Sequence, residues 1–275
     1  MADTTSIIER LIQQESLPAS YDAAARKVIL PLAQHIKSLR QQRQHPVVVG
    51  IHGAQGTGKS TLTLFLREFL NSLYGVQTVS FSLDDLYLTR AERQKLAAEK
   101  HPLLITRGVP GTHDLALGQQ LIDRLTSATD QSSTPIPVFD KARDDRAPES
   151  DWPLFQGRAD VVLIEGWCLG ALPEPSLDSL NHPINELESA EDPQGIWRQT
   201  VNDYLKSTYA DFFRQMDCLI MLQAPSMNCI LQWRTLQEHK LRERIKNAPE
   251  TGIDGSQQAV RIMTDPQVAR FIMHY

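Results

Sequence analysis

Residues 47–61 read VVVGIHGAQGTGKST, and this stretch decides the predicted fold. Residues 47–51 form an apolar, largely β-branched run, which is typical of a strand buried on both faces of a parallel sheet. Residues 53–60 fit the pattern G-x-x-x-x-G-K-S/T, and the run TLTLFL after them predicts a helix. Because strand, glycine-rich loop and helix follow in this order, the sequence predicts a loop that surrounds phosphate groups, rather than a turn without a ligand.

The positions of this loop have distinct predicted roles. Its glycines let backbone N–H groups turn toward the phosphates, and the N-terminus of the next helix adds a partial positive charge. Lys59 is predicted to contact the β- and γ-phosphates, and Ser60 to give one oxygen to Mg²⁺. The predicted ATP-binding residues are Gly53, Ala54, Gln55, Gly56, Thr57, Gly58, Lys59, Ser60 and Thr61.

Further strands and helices extend this unit. Apolar runs at 78–83, 161–164 and 218–222 predict strands, and helical patterns at 60–73, 115–127 and 199–213 separate them. Strands that alternate with helices indicate a mainly parallel sheet covered on both faces. The predicted fold class is α/β, the three-layer α/β/α arrangement of P-loop NTPases. We expect one domain, with a helical N-terminal extension (1–46), a nucleotide-binding core (47–223) and a helical lid with the C-terminal part (224–275).

Three stretches have less regular patterns. A helix predicted over about 22–43 contains Pro31, which is expected to kink or restart it. Residues 173–193 hold four prolines and many acids, and we expect an exposed loop or a short insertion there. Residues 271–275 are mostly apolar and have no helix stop signal, which leaves open whether a final helix is complete.

Composition and charge exclude several classes of protein. The 275 residues carry 28 basic and 33 acidic side chains, a net charge of −5, which argues against a general nucleic-acid-binding surface. No apolar run approaches the roughly 20 residues that span a bilayer, and the first residues lack a signal-type apolar block. The three cysteines form no C-x-x-C pair and suit a reducing compartment. We expect a cytoplasmic protein without nucleic-acid or membrane partners; its oligomeric state is left open.

The strand predicted at 161–164 narrows the class of phosphate-loop protein. It continues into Glu165 and Gly166, a single acid where motor ATPases usually have Asp-Glu, and the GTPase motif N-K-x-D is absent from the sequence. The carboxyl end of a strand is where ligands bind in an open α/β sheet. Glu165 is therefore a candidate to hold Mg²⁺ through water, and the alternative is an acid that only caps a loop.

A second pair of acids follows the strand predicted at 78–83. Asp84 and Asp85 stand at its carboxyl end, so a carboxylate there can accept a proton from a hydroxyl acceptor or hold the metal. Aspartate at such a position also caps helices. We expect one of the two acids to fill each role.

Several of these stretches together resemble a known family. The phosphate loop, the stretch DDLY (84–87) and the strand ending in EG (165–166) are similar to the phosphoribulokinase/uridine kinase superfamily, whose members phosphorylate small metabolites. The stretches RGVPGTHD (107–114), PVFDK (137–141) and EGWCLG (165–170), with Trp233, Arg234 and Glu238, resemble its D-glycerate 3-kinase-like branch. The resemblance covers about residues 47–244.

The resemblance implies roles for individual residues. Asp84 corresponds to the catalytic base and Glu165 to the acid associated with magnesium, while Leu86 departs from the aromatic residue that is usual there. His113 and Asp114 are implied as a hydroxyl-binding pair, although His113 could instead be a packed histidine. The complete implied set comprises Asp84 and Lys59 for catalysis, Ser60, Glu165 and Asp84 for the metal, and Asp85, Tyr87, Arg107, His113, Asp114 and Lys141 for the substrate.

Further cations in the sequence are candidates for binding the substrate carboxylate or for a lid. Arg143 and Arg146 are candidates for the carboxylate, or else parts of a solvated loop. Arg234 and Arg242 are implied as lid residues that reach the transferring phosphate, and the alternative is an exposed helix in which Glu238 pairs with Arg242. Trp167 is expected to be a pocket wall, and Cys168 a small packed residue.

The resemblance therefore predicts an ATP-dependent small-molecule kinase that uses Mg²⁺. Its acceptor is predicted to be a hydroxylated and anionic small molecule, with the 3-hydroxyl of D-glycerate as the leading candidate. Two alternatives stay open: a kinase of the same fold for a nucleoside or a pantothenate-like alcohol, and a non-catalytic regulatory protein that binds ATP.

Overall fold

A computed structural model describes residues 3–246 and 262–275 of the chain. Its strands are β1 (Val47–Gly53), β2 (Thr78–Ser82), β3 (Ser133–Pro135), β4 (Phe139–Asp140), β5 (Asp145–Arg146), β6 (Leu154–Gln156), β7 (Val161–Gly166) and β8 (Cys218–Leu222). Its α-helices are α1 (Thr4–Gln14), α2 (Tyr21–Ala24), α3 (Leu30–Gln42), α4 (Lys59–Tyr74), α5 (Arg90–Glu99), α6 (Leu115–Ser127), α7 (Glu186–Glu191), α8 (Ile196–Tyr204), α9 (Ala210–Phe213), α10 (Met227–Lys246) and α11 (Asp265–Ile272).

The central sheet has the strand order β2-β7-β1-β8, and all its neighbours are parallel. Every residue of β7 is buried, as expected of a strand covered on both faces. The register pairs Ile51 and Ser82 with Glu165, so the carboxyl ends of β1, β2 and β7 meet at one edge. The predicted parallel sheet is confirmed, and its ligand-binding edge lies where the phosphate loop begins.

Helices cover the two faces of this sheet. Val47 and Val49 of β1 pack in one core cluster with α1, α3 and α4, whose buried side chains include Ile8, Ile36 and Phe65. Val48 points to the other cluster, which contains residues of α6, α9 and the adjoining π-helical turn Leu205–Tyr209. Because successive side chains of a strand alternate between faces, β1 contributes to both cores. The predicted three-layer α/β/α fold is confirmed.

Pro31 lies at an interruption of the second helical region. The π-helical turn Ala25–Ile29 follows α2, and α3 begins at Leu30, with Pro31 in its first turn. Proline has no N–H to donate and its ring crowds the preceding turn, so a regular α-helical ladder cannot continue through this position. The expected restart of the helix therefore occurs one residue before the proline.

The segment 173–193 is only partly the exposed loop that was expected. It contains α7, in which Leu187 and Glu188 are buried. Arg198 forms ion pairs with Glu188 (3.3 Å) and with buried Asp192 (3.1 Å). The acids near the end of this segment thus neutralise a buried arginine, a role that composition alone cannot reveal. Within the described ranges, no helix is long and apolar enough to cross a membrane.

Candidate active site

The phosphate loop connects β1 to α4 as the motif predicts. Gly56 and Gly58 adopt positive φ angles of 80° and 88°, and Gly58 directly precedes the first residue of α4. A Cβ atom on Gly56 would lie 2.5 Å from the Cβ of Trp233, so the loop needs glycine there both for its backbone and for its contact with α10. Gln55, Gly56, Gly58, Lys59 and Ser60 line the pocket above the sheet edge.

The other predicted loop residues have supporting positions. Gly53 ends β1, and the Thr57 hydroxyl donates a hydrogen bond to the Ala54 carbonyl over 2.7 Å. Thr61 lies in the first turn of α4. These residues fix the shape of the loop, and the five lining residues are the ones whose atoms face the pocket.

Glu165 of β7 contacts both Lys59 and Ser60 at the start of α4. The Ser60 hydroxyl donates to its Oε1 over 3.1 Å, and the Lys59 ammonium lies 3.8 Å from its Oε2. Glu165 is only 9% exposed, and its buried Oε2 has no hydrogen-bond partner among the described residues. A carboxylate oxygen and a serine hydroxyl side by side are oxygen ligands of the kind that Mg²⁺ takes together with phosphates.

Asp84 is held between a cation and a phenol. Its Oδ1 accepts a hydrogen bond from Tyr87 (2.7 Å), and its Oδ2 accepts one from the Lys141 ammonium (2.9 Å). Burial by itself would raise its pKa, but Lys141, the Tyr87 hydroxyl and Lys59 together lower the pKa to about 2. Asp84 is therefore an ionised carboxylate at neutral pH and faces the same pocket as Lys59.

Asp85 has a different role from its neighbour. It accepts a hydrogen bond from the Phe139 backbone N–H over 3.2 Å, and burial raises its pKa. Neither acid caps the next helix, because Thr89 caps α5 and forms a capping box with Glu92. The expectation that one aspartate would be the helix cap is therefore wrong, and Asp85 instead supports the loop that carries Lys141.

The two ends of the loop at 107–114 have different surroundings. Its first residue lines the pocket, and its last two residues pack or form structural contacts. Arg107 lines the pocket, pairs with Asp144 and lies over the Phe139 ring. His113 is buried, stacked on Tyr87 and hydrogen-bonded to the Tyr209 hydroxyl (2.6 Å). Burial lowers its pKa to about 4.

Asp114 likewise has structural partners. Its Oδ1 caps α6 by accepting the Leu117 N–H over 2.9 Å, and its Oδ2 pairs with Arg146 at 3.0 Å. The implied hydroxyl-binding pair His113–Asp114 is thus corrected, since neither residue lines the pocket. Capping and an ion pair occupy Asp114, and His113 packs on Tyr87 and Tyr209 with its buried Nε2 unpartnered among the described residues. Arg146 is engaged with Asp114, and exposed Arg143 pairs with Asp140, so neither lines the pocket.

The two implied lid arginines have different positions on α10. Arg234 lines the pocket, where it pairs with buried Glu238 at 2.5 Å and lies over the Phe271 ring. Arg242 donates to the Met263 carbonyl over 3.3 Å, outside the pocket lining. Glu238 thus pairs with Arg234 rather than with Arg242, and one lid arginine of the two reaches the site.

The assembled pocket has a volume of about 390 Å³ and a cationic lining. Four of its side chains are cations (Lys59, Arg107, Lys141, Arg234), and two are carboxylates (Asp84, Glu165). Such an excess of positive charge favours anionic ligands. The arrangement can hold a polyphosphate beside the loop, and a second anion near Arg107 and Lys141, with the Asp84 carboxylate on the same side as Lys141.

Known proteins resemble this chain in sequence and in structure, although no protein-family model matches it. An uncharacterized kinase, mug58, of Schizosaccharomyces pombe is 33% identical over 240 residues, which are 84% of this chain and 78% of that protein. The chloroplastic D-glycerate 3-kinase of Arabidopsis thaliana is 32% identical over 206 residues, 72% of this chain and 42% of that protein. A solved D-glycerate 3-kinase structure from Cryptococcus neoformans superposes with a TM-score of 0.71 at 28% identity, covering 90% of this chain and 86% of the other.

The chain belongs to the D-glycerate 3-kinase-like branch of the P-loop kinases. The resemblance read from the motifs is therefore confirmed. As a kinase of this branch, the protein is a phosphotransferase that transfers phosphate from ATP to a hydroxyl group.

Three lining residues of this kinase were missed by the motifs. Gln237, Phe271 and Tyr275 belong to α10, to α11 and to the segment after α11, and all three face the pocket. Gln237 lies three residues after Arg234 on the same helix. Because residues at this spacing share a helix face, the sequence could have placed Gln237 beside Arg234. Phe271 and Tyr275 reach the site by tertiary packing, and only their aromatic character in a short apolar stretch distinguished them in the sequence.

Proposed function

We propose that this kinase phosphorylates the 3-hydroxyl of D-glycerate with ATP. The observation that carries the proposal is the position of Asp84, an ionised carboxylate in the pocket of the phosphate loop, in contact with Lys141. Arg107 and Lys141 provide the positive charge that an acceptor carboxylate needs. The D-glycerate 3-kinase relatives support glycerate as that acceptor.

Each half of the pocket has a proposed task. The loop amides and Lys59 bind the phosphates of ATP, and Asp84 orients the acceptor hydroxyl toward the γ-phosphorus. A new bond forms between that oxygen and phosphorus while the bond to the β-phosphate oxygen breaks. The hydroxyl proton passes late to the Asp84 carboxylate and then to solvent, because the transition state for phosphoryl transfer is loose. Arg234 stabilises charge on the transferring group.

The residues present fit a magnesium ion. Ser60 and Glu165 would hold it, since the buried Oε2 of Glu165 lacks a hydrogen-bond partner among the described residues and the Ser60 hydroxyl lies beside the other oxygen. When bound, Mg²⁺ neutralises charge on the β- and γ-phosphates. The role of Asp84 as a further metal ligand stays a prediction. Both of its oxygens already accept hydrogen bonds, one from Tyr87 and one from Lys141. The three free thiols support the proposal that the enzyme works in a reducing compartment, the cytoplasm.

An acceptor panel tests the proposed activity. Purified protein with ATP and Mg²⁺ is offered D-glycerate, L-glycerate, uridine and pantothenate, and ADP formation is followed by a coupled assay. We expect D-glycerate to give the highest kcat/KM and phosphorus NMR to identify 3-phosphoglycerate. If another alcohol is preferred, D-glycerate is the wrong acceptor. If ATP binds and no acceptor increases ADP formation, the protein is a binding protein and the proposed reaction is wrong.

A further inference from the structure

Tyr275 lies between two cavities of the molecule. On one side it lines the reaction pocket together with Asp84 and Arg107. On the other side it lines a second cavity of about 460 Å³, whose walls include Trp167, Leu180, Trp197, Val201 and Met273. Tyr275 is the one residue shared by the two linings within the part of the chain that the structure describes. Its ring is therefore a partition between a charged pocket and a largely apolar one.

Several contacts fix the ring of Tyr275 in this position. It packs edge-on against Trp167, with ring centroids 4.5 Å apart, and against Phe271 at 5.2 Å. The Trp167 indole N–H donates to the Gly108 carbonyl over 2.8 Å, which holds Trp167 against the loop that carries Arg107. A Cβ atom on Gly108 would lie 2.3 Å from the Tyr275 hydroxyl oxygen, so glycine at 108 leaves the space that this hydroxyl occupies.

The Tyr275 hydroxyl is a hydrogen-bond donor available to a ligand. Burial, followed by the negative charge of Asp84, raises the pKa of the phenol above its ordinary value, so it stays protonated at neutral pH. Tyr275 lines the reaction pocket, and the charges of Asp84 and Arg107 act on its hydroxyl there. A phenol donor at such a position gains a charge-assisted hydrogen bond when an anionic ligand oxygen comes within reach.

We propose that Tyr275 sets the length of the acceptor. Its hydroxyl donates a hydrogen bond to a polar group of the acceptor away from the reacting hydroxyl, and its ring closes the pocket against the second cavity. On this proposal the ring blocks acceptors that would extend from the reaction pocket into the second cavity. The inference rests on the proposed function, because it concerns the same acceptor site.

Two substitutions separate the hydroxyl from the ring. Tyr275→Phe keeps the packing on Trp167 and Phe271 and removes the donor, so we expect KM for D-glycerate to rise about tenfold or more while kcat changes little. Tyr275→Ala opens the pocket into the second cavity, so kcat/KM for the four-carbon acid D-erythronate and for pantothenate should rise relative to D-glycerate. Tyr74→Phe is the matched control, since Tyr74 lies at the far end of α4 beside Lys37.

The panel of variants distinguishes failure of this inference from failure of the proposed function. If wild-type enzyme phosphorylates D-glycerate and both Tyr275 variants keep its KM and its preference for the three-carbon acid, Tyr275 has no role in acceptor selection. A wild-type enzyme that prefers the longer acceptors overturns both proposals. Thermal unfolding with and without ATP shows whether each variant is folded. If Tyr275→Ala does not fold, the KM of Tyr275→Phe tests the donated hydrogen bond, and the acceptor preference of Tyr275→Leu, a smaller apolar replacement, tests closure by the ring.

Discussion

The two halves of the pocket are built in different ways. The phosphate half comes from consecutive residues between β1 and α4, supported by Glu165 on the adjacent strand. The half that we propose for the acceptor is assembled from separate segments, which contribute Asp84, Arg107, Lys141 and Tyr275. The first half depends on local backbone geometry, and the second depends on tertiary packing. A kinase of this type can therefore keep one phosphate site while its acceptor site changes residue by residue.

The largest expected effect separates the two halves through Asp84. Asp84→Asn removes the charge that faces the acceptor, so kcat should fall about a thousandfold while ATP binding persists. Lys59→Ala is the counterpart in the phosphate half, and it should weaken the thermal stabilisation that ATP provides. Coupled ADP detection and thermal unfolding measure the two properties. Unchanged turnover in Asp84→Asn would exclude Asp84 as the base, and an unaltered ATP shift in Lys59→Ala would exclude the loop assignment.

A smaller effect is expected from the lid arginines of α10. Arg234→Lys keeps a cation beside buried Glu238 and loses the planar donor group that faces the pocket, so kcat should fall about tenfold or more. Arg242→Lys is the control on the same helix, because Arg242 contacts the Met263 carbonyl instead, and its kcat should stay within about twofold. Equal losses in both variants would contradict the division of roles between these arginines.

At the packed end of the 107–114 loop the expected effect is on stability and not on turnover. His113 has a pKa of about 4 in the folded protein, below the ordinary value near 6.5, so the unfolded chain binds more protons between these values. Stability should therefore fall as the pH drops from 7 to 5, with about 2 kcal/mol due to this group. His113→Gln should remove that part of the slope in urea unfolding, and His45→Gln, at an exposed site, should keep it. The same slope in all three proteins would show that His113 does not titrate in this way.

The sequence predicted most of the phosphate half, because its residues are consecutive and each type indicates a particular backbone conformation or contact. The strand, the glycines and Lys59 followed one another, and the buried run before Glu165 identified the adjacent strand. The acceptor half was predicted only in part. Asp84 and Lys141 were found through motif stretches, and the structure shows them in contact.

The errors have a common physical cause. His113 and Asp114 were implied as a hydroxyl-binding pair, with a packed His113 as the alternative, and in the structure His113 packs against Tyr209 while Asp114 caps α6. Histidine and aspartate have the same donor and acceptor groups in either role, so their types alone cannot separate the two. Tyr275 was missed because its position follows from how α11 packs, and no spacing in the sequence encodes that contact.

The strand order has a consequence for how the site comes into being during synthesis. β1 lies between β7, from the second half of the chain, and β8, from its final quarter. Pairing between strands so distant in sequence is slow, because loop closure costs entropy before the contacts form. The phosphate loop, although its motif is continuous, emerges from the ribosome long before the strands that hold it. A nucleotide can therefore stabilise this protein only after most of its chain has been made.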